Sequence, residues 1–246
     1  LELAEAMLNN NDWYVRRARR ILQERAGDRE IDNKATEKLI EIATKNEDDT
    51  RRLRAIWALH GIGEIDVALT QKLLDDESPY VRGWAIQLAL DGGSAFDDHS
   101  ASAEFLTKLA ELAHQDPSPV VQLYLASALQ RIPLESRWEI LAGLASHSED
   151  AGDQNLPLMV WYAAEPLAEA EPSHALEFGL SCGKNLPKVR DFMLRRVASL
   201  DSPEVLTALV AALGKSTQLD EQLAIIAAMR QALEGQRLVK SPAEWS

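Results

Sequence analysis

The stretch Ser78-Pro79-Tyr80-Val81-Arg82-Gly83-Trp84-Ala85-Ile86-Gln87-Leu88 decides how the chain is read. Proline has a fixed φ and no amide hydrogen, so Pro79 suits a helix start and would be costly in a helix interior. Ser78, just before it, belongs to the residue types that cap free helical amides. From there Val81, Trp84, Ala85 and Leu88 fall at i, i+3, i+4 and i+7, which is one face of an α-helix.

The same phrase recurs: a polar or proline-containing turn, an apolar residue, then usually arginine, then an apolar helix. It stands as Asp12-Trp13-Tyr14-Val15-Arg16, Asp48-Asp49-Thr50-Arg51-Arg52 and Ser118-Pro119-Val120-Val121-Gln122. The copy at Asp48 is a weaker form, Asn155-Leu156-Pro157-Leu158-Met159 is a looser one, and Leu186-Pro187-Lys188-Val189-Arg190 is the last clear one. The arginine slot therefore falls at 16, 52, 82, 122, 159 and 190, with steps of 36, 30, 40, 37 and 31. Such steps are those of two-helix repeats with loops of variable length. The helices before the slots carry stripes of their own, such as Leu39, Ile40 and Ala43, or Phe105, Leu106, Leu109 and Leu112. A last pair is expected over 202–214 and 219–233, and Ser118 and Ser202 are expected to cap helices as Ser78 does. Strand-like alternation is not evident. A lone helix pair cannot bury both apolar faces, but stacked pairs can. The expected fold is all-α: a solenoid of about seven antiparallel helix pairs, residues 1–246 forming one repeat domain. Two long acidic loops, 91–102 and 146–155, are expected on the surface.

Composition narrows the functional classes. Hydrophobic residues make up 46% and charged residues 26% of the 246, as in ordinary folding chains. The net charge is −13, which argues against a phosphate backbone as the partner. Residues 1–60 are neutral, with 12 basic and 12 acidic side chains, so residues 61–246 carry the entire excess. Cys182 is the only cysteine, which excludes an internal disulfide or a cysteine metal cluster; a small shielded thiol is expected. No run approaches the ~20 apolar residues of a membrane helix. The chain begins at Leu1 without a signal-peptide pattern, and a piece of a longer protein is the expectation.

The turn-Val-Arg phrase resembles a HEAT repeat. That resemblance implies a ladder of Asp and Arg along the stack, with Arg16, Arg52, Arg82 and Arg190 in the slot and a break at Gln122 and Met159. A closer resemblance rests on Asp12-Trp13-Tyr14-Val15-Arg16-Arg17, on Tyr80-Val81-Arg82-Gly83-Trp84-Ala85-Ile86-Gln87-Leu88, and on the run from Val121 to Arg131. The string Asn155-Leu156-Pro157-Leu158-Met159-Val160-Trp161-Tyr162-Ala163-Ala164-Glu165-Pro166-Leu167 belongs with them. Over about residues 10–200 these are similar to the helical middle region of large bacterial membrane-bound-dehydrogenase-like proteins. In that family a β-propeller typically precedes this region and a c-type haem domain follows it. The resemblance implies an exported parent, in the periplasm or cell envelope, with any oxidoreductase chemistry outside these residues. Cys182-Gly183-Lys184-Asn185 is not a haem attachment motif, so no cofactor and no activity are carried over to this chain.

Several candidate sites remain. Arg16, Arg17, Arg19 and Arg20 crowd one helix and Arg51, Arg52 and Arg54 another; on a shared face they would form a basic docking patch. The alternative is solvated faces paired with Glu24, Asp48 and Asp49. The aromatic slot two residues past the arginine slot holds Trp84, Tyr124, Trp161 and Phe192. It could stack a ligand, but its place on the apolar face points to core packing between repeats. Glu165, on an apolar helix that Pro166 should end, either lines a binding surface or pairs with a neighbouring repeat. His60, His99, His114, His147 and His174 lack metal-ligand spacing, and no nucleophile–base motif or phosphate loop is present.

The expected function is a non-catalytic scaffold that binds a protein or neighbouring domains of the same chain. Two alternatives are a helical-repeat enzyme of the bilin lyase or DNA glycosylase kind and a plain spacer between domains. The glycosylase reading needs a continuous positive groove, against which −13 argues.

Overall fold

A computed structural model describes residues 1–28, 31–91, 103–200, 202–235, 242 and 245. Among them the chain is all-α, built from consecutive helix pairs. In order the helices are α1 (Glu2–Glu5), α2 (Asp12–Asp28), α3 (Asn33–Lys45), α4 (Asp49–Gly61), α5 (Val67–Leu74) and α6 (Pro79–Ala89). Next come α7 (Ala103–Gln115), α8 (Pro119–Ala128), α9 (Trp138–Ala145), α10 (Leu156–Ala164) and the single turn α11 (Leu167–Ala170). The last are α12 (Pro172–Cys182), α13 (Pro187–Ala198), α14 (Pro203–Lys215) and α15 (Leu219–Ala232). Every arginine-slot residue thus lies in the first turns of the second helix of its pair. None of these helices is long and apolar enough to cross a membrane.

Two compact units are present, Leu1–Leu106 and Thr107–Ser246. In the first, α4 packs on α3 within its pair and touches α2 on one side and α6 on the other. The second helices α2, α4 and α6 therefore form one row. Its core is aliphatic: Leu39, Ile56, Leu59, Leu74 and Ile86 are closed to solvent. In the second unit α8, α10, α13 and α15 make the corresponding row, while α12 touches both α9 and α14. Helices α7 and α9 approach so closely that a Cβ on Gly143 would lie 2.7 Å from the Ala113 Cβ and 2.8 Å from its carbonyl carbon.

The turns differ from the expectation in one respect. Ser202 does accept from the Val205 amide at 3.4 Å. Ser78 and Ser118 stand at their N-caps but make no side-chain capping bond. Pro79 and Pro119 leave one amide fewer to cap, and an aspartate three residues before each helix organises the turn instead. Asp76 Oδ1 accepts from the Ser78 amide at 2.8 Å and Asp116 Oδ1 from the Ser118 amide at 3.0 Å. The Ser78 hydroxyl is then free to donate to Asp49 Oδ2 at 3.0 Å. The same local turn occurs at Asn9 before α2, Asn46 before α4 and Asp153 before α10. These Asx turns, in which a short polar side chain substitutes for a backbone acceptor, mark the repeat more regularly than the serines do. The loop 146–155 is mostly exposed, as expected; most of the other long loop, 92–102, lies outside the described residues together with His99.

Candidate functional site

Along α2, Val15, Ala18 and Leu22 are buried and fix which side of the helix meets the core. The 3.6-residue period then places Arg16, Arg19, Arg20 and Gln23 together on another face. On α4 the buried residues Ala55, Ile56, Ala58 and Leu59 leave Trp57, His60 and Gly61 beside that face. On α6, Trp84 and Leu88 complete the set. These residues enclose an open groove of about 690 Å³ within the first unit, a size suited to a small molecule or a short peptide segment.

The groove has a basic wall and an aromatic floor. The Arg19 guanidinium carbon sits 5.5 Å from the centre of the Trp57 ring, within cation–π range. Trp57 in turn meets Trp84 edge-to-face, centroids 5.0 Å apart. The Trp57 indole nitrogen is shielded from water and has no acceptor among the described residues. His60 Nε2 lies 3.4 Å from Asp91 Oδ2 at the groove's edge. Arg16 pairs with Asp12 at 2.6 Å and Arg20 with Glu24 at 2.8 Å, both one turn away on the same helix and largely exposed. Exposed i,i+4 pairs of this kind contribute only about 0.3–0.5 kcal/mol, so either arginine exchanges its partner readily. Arg19 has no carboxylate partner among the described residues.

The two arginine clusters meet at Asp12, which accepts from both Arg16 and Arg54, but their members do different work. Arg16, Arg19 and Arg20 line the groove, whereas Arg17 is exposed on α2 outside it. On α4, Arg51 contacts Asp48 at 3.6 Å and Asn10 at 3.2 Å. Arg54 donates to the Asn9 carbonyl at 3.0 Å and to Asp12 at 3.3 Å. Both thus fasten α4 to the turn before α2. Arg52 points the other way and is buried, 3.3 Å from Asp76 and 3.1 Å from Glu77. One residue along a helix is a rotation of about 100°, which sends Arg51 and Arg52 to opposite neighbours. Arg20–Glu24 and Arg51–Asp48 follow the paired alternative raised by the sequence, while Arg16, Arg19 and Arg20, all from α2, line the groove.

The arginine slot itself does two jobs. Arg52 reaches the next pair at Asp76, and Arg190 reaches Asp220 at 3.4 Å while bonding its neighbour Asp191 at 2.9 Å. Arg82 donates backwards to the Asp76 and Glu77 carbonyls at 2.7 and 3.1 Å. Gln122 keeps that local role, donating to the Asp116 carbonyl at 3.4 Å, and Gln222 of α15 does so to the Ser216 carbonyl at 2.7 Å. An amide is thus sufficient to hold the turn, although it brings no charge to a neighbour. Among the described residues Arg16 bonds within α2, to Asp12. Near the slot held by Met159, the buried Arg137 donates to the Ile132 and Ala163 carbonyls, both at 2.9 Å.

In the second unit Glu165 accepts from Arg196 Nε at 2.5 Å, and Arg196 also reaches Glu169 at 3.2 Å. The carboxylate is held by the following helix pair. The aromatic slot is only half-buried at all four positions, not sealed in the core. Trp161 packs edge-to-face on Phe192 at 5.6 Å, and Arg195 lies over Phe192 at 5.0 Å. His174 stacks on Trp138, His147 Nε2 is bonded to the Ala113 carbonyl, and His114 is exposed. Among the described residues no group of His, Cys, Asp and Glu is arranged to hold a metal ion. Cys182 is fully buried, and burial raises its thiol pKa to about 12, far from a reactive thiolate.

Trp57 is the groove residue that the sequence reading passed over. It stands five residues past the arginine slot, outside the repeated aromatic position. Its place beside Arg16, Arg19, Arg20 and Gln23 depends on how α4 packs against α2, for which the sequence carries no local signal. No protein-family model matches this sequence, and no curated protein matches it.

Proposed function

We propose that the chain is a non-catalytic scaffold whose helical rows bind another domain or protein, within a larger protein of the membrane-bound-dehydrogenase-like kind that its sequence resembles. The open Arg–Trp groove across α2, α4 and α6 carries this reading. Stacked helix pairs offer extended surfaces to partners, and arginine and tryptophan are the side chains that most often dominate binding energy at interfaces. Charges elsewhere are already committed to holding helix pairs together, as at the buried Arg52–Asp76 and the half-buried Arg196–Glu165.

Hydrogen exchange tests the reading. The chain is measured alone and with the polypeptide segments encoded on either side of it, supplied in trans. Slowed amide exchange along α2, α4 and α6 is expected on mixing. An unchanged exchange profile would sink the scaffold reading.

A further inference from the structure

We propose that the groove of the first unit binds an acidic peptide segment in which one or two carboxylates stand next to an aliphatic side chain. This rests on the scaffold reading above and names the partner's chemistry. Three observations carry it. Arg19 lies over Trp57, has no carboxylate partner among the described residues, and keeps its guanidinium donors available for a bidentate carboxylate. Arg16 and Arg20 flank it and hold Asp12 and Glu24 only through exposed pairs, which an incoming carboxylate replaces at small cost. The aromatic floor of Trp57 and Trp84, with Leu88 behind it, supplies the apolar surface for the aliphatic side chain.

The same features disfavour a nucleic acid. A phosphate backbone needs a continuous positive track, and each neutralised phosphate adds to its salt dependence. Among the described residues, three arginines from one helix provide the groove's formal positive charge, and the chain as a whole carries −13. A peptide with few charges matches the local site without bringing many charges toward the acidic remainder.

The test uses the full chain and fluorescence anisotropy with three labelled probes. They are an Asp-Leu-Glu-Leu-Asp peptide, its lysine-for-carboxylate counterpart, and an oligothymidylate of similar length. The acidic peptide is expected to bind, to weaken at about 0.5 M salt as surface charges are screened, and to be preferred over both other probes. Arg19→Glu, and the milder Arg19→Gln, are expected to lower its affinity by about tenfold or more. Arg17→Glu, one turn position off the groove, is expected to change it by less than about twofold. Far-UV circular dichroism establishes that each variant is folded. Equal losses for the Arg17 and Arg19 variants, tighter binding of the oligothymidylate, or no acidic-peptide binding at about 1 mM would each overturn the proposal. If the peptide fails while flanking segments still slow exchange in α2, α4 and α6, the peptide proposal falls and the scaffold reading stands.

Discussion

Arg52 Nη2 lies 3.3 Å from Asp76 Oδ1, with both side chains almost closed to solvent at 7% and 10% exposure. The same Asp76 oxygen accepts from the Ser78 amide, and the Asp76 carbonyl accepts from Arg82. One aspartate therefore shapes the turn into α6 and anchors α4 to it. Removing one partner from a buried pair leaves an uncompensated charge, so Arg52→Ala is expected to destabilise the protein by about 3 kcal/mol. Asp76→Asn keeps an acceptor for the turn and should cost less than Asp76→Ala, which loses both roles. Urea denaturation of the three variants measures this; equal losses for the two Asp76 variants would show that the turn bond contributes nothing.

A second prediction concerns helix approach. In Gly143→Ala the new Cβ meets the Ala113 backbone, which cannot swing aside, so a loss of about 1–3 kcal/mol is expected. In Gly179→Ala the Cβ meets the Met193 side chain at 3.0 Å. Its neighbours, Met193 Cγ at 3.0 Å and Cβ at 3.1 Å, lie at the root of that side chain but are farther away than the atoms met at Gly143, so that variant should lose less without being neutral. Thermal unfolding of the pair ranks them, and the reverse order would refute the argument from closeness of approach.

Cys182 should be silent to thiol reagents until the protein unfolds. Its folded pKa of about 12 lies above the ordinary value of 9.0 because burial penalises the thiolate. A group whose folded pKa is raised contributes stability that is fully present below the unfolded value and is lost as pH rises through the folded one. Stability should therefore begin to decline above about pH 9, and Cys182→Ala should flatten that decline. Labelling with an aromatic disulfide reagent in native and denaturing buffer supplies the check: fast native labelling would contradict the burial.

The turn before α10 should loosen in acid. Asp153 accepts from the Leu156 and Asn155 amides, both at 2.7 Å, and these bonds hold its carboxyl below the usual 3.8. A depressed carboxylate stabilises the fold above its unfolded pKa, and that contribution disappears as pH falls through the lower, folded value. Asp153→Asn retains an acceptor but not the charge, and it should remove this part of the acid dependence. Amide exchange of Leu156 and Asn155 between pH 5 and 3 reads it out; identical pH profiles for wild type and variant would count against it.

The repeat was legible because its marks are local. Pro79, Pro119 and Pro187 restrict their own backbone, and the stripe Val81, Trp84, Ala85 and Leu88 needs only the helical period. The turns before α2, α4, α6, α8 and α10 were equally legible at Asn9, Asn46, Asp76, Asp116 and Asp153, three residues before each helix, since an Asx side chain bonds its own backbone two residues on. At Ser78-Pro79 and Ser118-Pro119 the aspartate, not the serine, organises the turn, whereas Ser202 before Pro203 caps as expected.

Sequence alone thus determined the helix pairs, their spacing and the excess of acid after residue 60, because propensity, turn chemistry and charge belong to neighbouring residues. Tertiary structure decided which arginines are structural and which are available. Arg51, Arg52 and Arg54 look alike along the chain, yet packing sends two toward the turn before α2 and seals the third against Asp76. Arg19 lies in a groove only because α4 brings Trp57 beneath it. Such roles depend on which faces of separate helices meet, and that is set by burial of the aliphatic core between them.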